Sequence, residues 1–476
     1  MFLSSRTFVC LLCFVPYARG GFFSKFFSGE TEESPSVKVL SFQKGVLMTE
    51  LSRNHRIPMV GLGVGHSPRK YVGALVAEAI QDDKRTRLID TASASGNEHF
   101  VAEGIVAGAE KLGEKVEVHV VTKIWYTHLG YERTKLSVQE SLKALAPAIN
   151  SDKVDLKIHF LLNWPRCYDN IEWMNCAKEE KALSDEIKQA GPDPNLDPNA
   201  WQQSWKYLED AFLSGDYPIE SIGLSNFHLH DIEQMDSFAR IQPHILQVNL
   251  WSVIYDSMLV DYCTQHGIHL QVYNAMQGTI AQPEQAPHAF HHLQSVAFDI
   301  AQEIDLPVTP AQTILSWLVQ HGISVIPRTS KLARLEENSG IVVSTIPALK
   351  DTQVEIVAHA VEAFLSGEDM TNDLGVAVTF HAIVDDIWLY WMTGDGREKR
   401  LRVIRKGETF NETSYPHHVY RTYNANNKDI YTDHMIQANF GEHQHIYVDK
   451  FEVDETDQMD KIHEIPNKVQ GMAMTN

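Results

Sequence analysis

Leu88-Ile89-Asp90-Thr91-Ala92-Ser93-Ala94-Ser95-Gly96-Asn97-Glu98, Val121-Thr122-Lys123-Ile124-Trp125 and Leu161-Leu162-Asn163-Trp164-Pro165 are apolar runs that break off into polar side chains. They belong to a longer rhythm. Strand-like runs recur at Leu88–Asp90, Val116–Thr122, Leu156–Asn163, Ser221–Ser225, Ile245–Asn249, His269–Tyr273 and Ser324–Pro327. Helical patterns such as Lys70–Ala79, Arg133–Leu145, Trp201–Ser214 and Pro310–His321 lie between them. Pro310 suits the first turn of a helix and Gly322 its end. Strand and helix alternating at this spacing imply parallel β-α units. About eight such units over this length predict a closed (β/α)₈ barrel, an α/β fold, rather than an open doubly wound sheet. No Gly-x-Gly-x-x-Gly opens a helix. Gly61-Leu62-Gly63-Val64-Gly65 lacks the third glycine at the required spacing.

The three quoted segments, in this order and approximate spacing, resemble the aldo-keto reductases. The resemblance covers roughly residues 42–345. It extends to Arg56-Ile57-Pro58-Met59-Val60-Gly61-Leu62-Gly63, Ile222-Gly223-Leu224-Ser225-Asn226-Phe227, Gln247-Val248-Asn249, Tyr273-Asn274 and Ile326-Pro327-Arg328-Thr329-Ser330. It implies a TIM barrel that binds NADP(H) and acts on carbonyl or alcohol substrates. Ser225, Asn226 and Gln247 fall on positions that hold the nicotinamide carboxamide, and Tyr273 on the ring stacked against it. Arg328, Thr329 and Arg334 fall on the 2′-phosphate cluster, where an arginine fork suits phosphate. Glu337 and Asn338 fall on the adenine contacts. Val64 replaces a Thr common in the family, and Asn274 replaces a Ser.

The reaction centre departs from the pattern. The family carries an Asp, a Tyr, a Lys and a His. Here the Asp is Asp90 and the Lys is Lys123, but Ser95 stands for the Tyr and Asn163 for the His. A serine hydroxyl is far less acidic than a phenol and shorter by a ring, and an asparagine cannot carry a proton. Losing a positioned general acid costs about 10² to 10⁴ in rate. Tyr126 and His128 follow Lys123 and read either as replacement acids or, the favoured reading, as rim residues. Little or no ordinary aldehyde reduction is expected. The alternative to an oxidoreductase is a nicotinamide-binding sensor or adaptor without turnover.

Beyond Asp373 the chain changes character. Val376–Ile383, Ile387–Trp391, Arg400–Arg405, Val419–Tyr423 and His445–Val448 are short β-branched and aromatic runs, with turns at Asp395-Gly396 and Lys406-Gly407. They predict a small β-sandwich over residues 373–454, after a last helix and linker at 349–372. Residues 376–432 resemble the β-domain of the von Hippel–Lindau protein, on Leu389-Tyr390-Trp391, Gly394-Asp395-Gly396 and Ser414-Tyr415-Pro416-His417-His418. That resemblance implies a hydroxyproline-peptide pocket at Trp391, Ser414, Tyr415 and His418. The competing and favoured reading makes these residues sandwich core.

Other features set the frame. Residues 1–20 read as a secretory signal peptide, with Arg6, an apolar run from Phe8 to Pro16, and small residues at Ala18 and Gly20. A flexible leader at 21–40, a barrel at 41–348 and a polar tail at 455–476 complete the expected division. The expected location is the secretory pathway, secreted or in the endoplasmic reticulum lumen, with no integral membrane segment after signal removal. Cys167 and Cys176 are close enough in sequence to pair, and Cys263 reads as a buried thiol. Asn411-Glu412-Thr413 is a glycosylation sequon. Residues 166–200, rich in Pro, Asn and Asp, read as a long loop, either around the site or as a solvated excursion. The formal charge of −21 argues against nucleic acid as a partner. The histidines show no metal-ligand spacing, so no metal is expected.

Overall fold

The computed structural model describes residues 41–449, except 44–45, 53–54, 82–84, 169–170, 330, 371–375, 393–397, 415–417 and 437–442. The expected signal, leader and tail, the Asp395-Gly396 turn and Tyr415 lie outside the described residues. The chain divides into two compact units, Met1–Gln277 with Ile314–Leu349, and Gly278–Thr313 with Lys350–Asn476.

The first unit opens with an antiparallel trio, β1 (Ser41–Gln43), β2 (Val46–Ser52) and β3 (His55–Pro58). Eight strands follow: β4 (Leu62–Gly63), β5 (Leu88–Asp90), β6 (Val116–Ile124), β7 (Val154–Leu162), β8 (Ile219–Ser225), β9 (Ile245–Asn249), β10 (His269–Tyr273) and β11 (Ser324–Ile326). They lie side by side in chain order, and every pairing is parallel. The ends meet: Gly61 N–H donates to Val325 O at 2.9 Å, and Val325 N–H donates to Met59 O at 2.8 Å. The sheet is thus a (β/α)₈ barrel. Its strands are covered on both faces, which is why they read as apolar runs instead of alternating ones.

The surrounding helices are amphipathic. Ala200–Ser214 buries Trp201, Trp205 and Leu208, spaced by one and two turns. Helices Arg69–Ala79 and Glu98–Leu112 pack closely at Gly104, where a Cβ would stand 2.5 Å from Gly73 O. The barrel interior is unusually polar. His119 Nδ1 lies 2.9 Å from His159 Nε2, and His159 Nδ1 lies 2.7 Å from Ser221 Oγ. The expected long loop at 166–200 is instead partly helical, with turns of helix at Cys176–Ala182 and Asp185–Ala190. Cys167 and Cys176 are disulfide-bonded, and Cys263 is a buried thiol.

The second unit contains helices Pro287–Ile304 and Asp351–Ser366 and two sheets. One sheet orders β15 (Thr409–Ser414), β12 (Val376–Ala382) and β18 (Gln444–Val448). The other orders β14 (Glu398–Ile404), β13 (Ile387–Met392), β16 (Val419–Asn424) and β17 (Asn427–Met435). Val378, Phe380, Leu389, Ile404 and Tyr420 are among the residues that form a single buried core there. β15 and β17 went unread in the sequence. Thr409–Ser414 has one large apolar side chain, Phe410, and both strands are sheet edges rich in Asn, Asp and Thr. Among the described residues no helix is long and apolar enough to cross a membrane.

Candidate active site

The C-terminal ends of the barrel strands converge on one polar cluster. Asp90 is the last residue of β5, and Lys123 is the penultimate residue of β6. Adjacent parallel strands in this register bring Lys123 Nζ to 2.6 Å from Asp90 Oδ1. Lys123 Nζ also donates to Thr91 O at 2.7 Å. Both side chains are buried, and removing either partner of a buried pair costs about 3–5 kcal/mol. Gln247, on β9, donates its amide to Asp90 Oδ1 at 2.8 Å and to Gln271 Oε1 at 2.7 Å. Gln271 donates to Ser324 Oγ at 3.2 Å, and His269 Nε2 lies 2.9 Å from the same oxygen. An unbroken hydrogen-bonded chain therefore runs from Asp90 into the barrel core. Its amide donors fix which way Gln247 points, leaving its Oε1 clear of Asp90.

A second cluster surrounds Asn226, which adopts a left-handed backbone with φ 61° just after β8. Its amide donates to Asn163 O at 2.9 Å and to Ser225 Oγ at 3.2 Å. Its carbonyl oxygen accepts from Tyr273 OH at 2.7 Å. Burial pushes the Tyr273 phenol up to about 12, so it is a weak proton donor near neutral pH. Asn274 is also left-handed, with φ 55°. Asn163 is itself buried, and its backbone N–H donates to Ile124 O at 2.9 Å.

Ser95 ends a 3₁₀ turn, Ser93–Ser95, and is half-buried. Arg69 Nε donates to its carbonyl at 3.3 Å. Among the described residues no hydrogen bond links Ser95 to Lys123. Tyr126 and His128 do not fill the gap. Burial raises the Tyr126 hydroxyl above its ordinary range. Burial, helped by the Arg133 charge, holds His128 down to about 4. Neither bonds Lys123 among the described residues, and Tyr126 is fully buried.

After β11 the chain builds a narrow cleft lined by Gly61, Thr329, Arg334, Leu335 and Asn338 among others. Asn338 Oδ1 is buried there without a hydrogen-bond partner. Thr329 is buried and its hydroxyl accepts from Lys331 N–H at 3.0 Å. Arg328 is exposed, and Arg334 and Glu337 lie on the short helix Leu332–Glu337. The cleft thus places an unpartnered hydrogen-bond acceptor beside an arginine.

The insertion at 166–200 packs against this end of the barrel. Trp125 Nε1 donates to Glu179 Oε2 at 2.8 Å. Arg133, almost fully buried, forks onto Glu180 with two bonds of 2.9 Å. Trp173 lies against both Trp125 and Trp164. Sequence reasoning missed Thr91, Gln271, Ser324 and Glu179. Gln271 had a signal, since two residues before Tyr273 on one strand is the same face.

In the second unit the Trp391 and His418 rings lie 5.3 Å apart, and His291 of helix Pro287–Ile304 stands 5.5 Å from His418. Ser414 is buried and its hydroxyl accepts from Tyr420 OH at 2.9 Å. Among the described residues no group of three His, Cys, Asp or Glu side chains is placed to hold a metal.

The profile of the Aldo/keto reductase family matches residues 60–362. An uncharacterized oxidoreductase of Bacillus subtilis is 31% identical over 257 residues, 54% of this chain and 73% of that protein. Glyoxal reductase of the same organism is 28% identical over 299 residues, 61% of this chain and 86% of that protein. The crystal structure of a Bombyx mori aldo-keto reductase in complex with NADP gives a TM-score of 0.50 at 24% identity. It covers 66% of this chain and 92% of that one, and at that identity it bears on the fold alone.

Proposed function

The chain belongs to the aldo/keto reductase family, and from that premise we propose that it binds NADP(H) and works as a slow oxidoreductase on carbonyl or alcohol substrates. The observation that carries this reading is the buried Asp90–Lys123–Gln247 cluster, joined at 2.6 and 2.8 Å. Bound NADPH would supply the hydride. The cleft with Arg334, Thr329 and the unpartnered Asn338 Oδ1 supports the 2′-phosphorylated cofactor over NAD(H).

The residues at the centre suit a weaker relay than the family's. An ammonium group has three donors. Asp90 and Thr91 O take two from Lys123, so one remains for a substrate oxygen. Asn163 offers an amide donor where the family has an imidazole. Together they polarise a carbonyl, and the proton for the alkoxide comes from Lys123 with resupply from solvent. Without a phenol the step is slow. The test is NADPH consumption by the full chain against a panel of aldehydes, ketones and dicarbonyls. Turnover that disappears in Lys123→Met supports the reading.

Ser95 and Asn163 also favour a second reading, in which the barrel senses the nucleotide without turnover and the β-sandwich, over residues 373–454, binds a hydroxyproline-containing segment. Tight NADPH binding with no consumption across the panel selects it. Passage through the secretory pathway is part of both readings. The Cys167–Cys176 disulfide supports it, since such bonds persist in oxidising compartments. A mobility shift on deglycosylation, lost in Asn411→Gln, would test it.

A further inference from the structure

Beside the reaction centre, the rim of the barrel holds a cavity of about 300 Å³. Ser93 and Ala94 wall it on one side, on the turn that carries Ser95. Trp125, two residues beyond Lys123, forms another wall. Glu140, from helix Tyr131–Ile149, and Glu179, from the insertion, add two carboxylates. No Lys or Arg lines the cavity. Among the described residues neither glutamate has a salt-bridge partner. His128, the remaining titratable group in the wall, stays neutral at pH 7 because burial holds it down to about 4.

Glu179 is held in place by neutral donors. Its Oε2 accepts the Trp125 indole N–H at 2.8 Å, and its Oε1 accepts Asn175 N–H at 3.4 Å. The segment that carries it is tied at one end by the Cys167–Cys176 disulfide. Its next residue, Glu180, is gripped by the buried Arg133. A fixed carboxylate, a second, exposed one in the same wall and an indole form a site complementary to an organic cation.

We propose that this cavity binds an organic ammonium group, and that the substrate is a carbonyl compound carrying one. The substrate half of the proposal rests on the oxidoreductase reading above, whereas the cation site does not.

The test uses isosteric pairs that differ only in charge. Choline and 3,3-dimethylbutan-1-ol are titrated calorimetrically into the full chain, its Glu179→Gln variant and its Glu140→Gln variant. Choline is expected to bind at least roughly tenfold more tightly than the neutral alcohol, with the preference falling about tenfold in Glu179→Gln. Glu140 is exposed, so its variant keeps the test open if Glu179→Gln folds poorly, and it should lose part of the preference. Equal binding of the two alcohols, or a preference untouched in both variants, overturns the cation site. NADPH binding is measured on the same samples and should be unchanged. Choline preference without NADPH binding leaves the site standing and sinks the oxidoreductase reading. If NADPH binds, betaine aldehyde should be reduced with a lower KM than 3,3-dimethylbutanal, and that advantage should vanish in Glu179→Gln. Equal KM values would overturn the substrate assignment.

Discussion

On the proposed reading, Ser95 and Asn163 set how far the chemistry departs from the family's, because the resemblance aligns them with its proton donor and carbonyl orienter. Asp90 and Lys123 keep their ion pair regardless, since half of a buried pair is costly to remove. The joint change Ser95→Tyr with Asn163→His should therefore raise NADPH-dependent reduction by about 10² or more, given intact geometry around Lys123. No gain in kcat, with cofactor affinity unchanged, would mean that the Lys123 ammonium does not face the substrate. Most of this cluster was legible in the sequence. Asp90, Lys123, Ser225, Asn226 and Tyr273 lie at or just past strand ends and Gln247 lies mid-strand, and it was the family resemblance, beyond periodicity, that marked all six. Ser324 was not legible, and Gln271 carried only the weak signal of sharing a strand face with Tyr273. Each is a polar residue within a barrel strand, and only the three-dimensional closure shows that they extend the Asp90–Gln247 chain.

Among the elements, the insertion separates reading from structure most clearly. Its polar composition predicts a loop, yet it holds two short helices, capped by Asn175 and Ser184. Those caps were visible as residue types. The helices were not, because helix Asp185–Ala190 buries only Ile187 and helix Cys176–Ala182 has no fully buried side chain. They are held by the disulfide and by Arg133, which are contacts remote in sequence or covalent. Replacing both Cys167 and Cys176 with Ser should loosen the segment by about 2–4 kcal/mol. Limited proteolysis should then cut within residues 166–200 faster than in the parent, and the choline preference should weaken. Equal cleavage rates would place the restraint on Arg133 alone. In the sandwich, the strands read from sequence are those rich in β-branched and aromatic residues. The edge strands β15 and β17 escaped because pairing, not composition, makes them strands.

For the molecule as a whole, buried histidines tie stability to pH. Burial holds His128 and His244 down to about 4 and puts His159 well below its ordinary value. In the second unit His434 is held down to about 4 by the same cause. These rings stay neutral in the folded chain, while in the unfolded chain they take up protons below about 6.5. Stability is therefore complete above pH ~6.5 and is lost as the pH falls toward 4. Calorimetric Tm values between pH 8 and 4 should fall steadily below 6.5, and a flat profile to pH 4.5 would contradict this. Nucleotide binding underlies every reading of the barrel. Its most direct test is calorimetric titration of the full chain with NADPH and NADH, repeated on Arg334→Ala. One NADPH should bind per chain, tighter than NADH, with the difference falling about tenfold in the variant. Failure to bind NADPH, or equal affinities indifferent to Arg334, would contradict it.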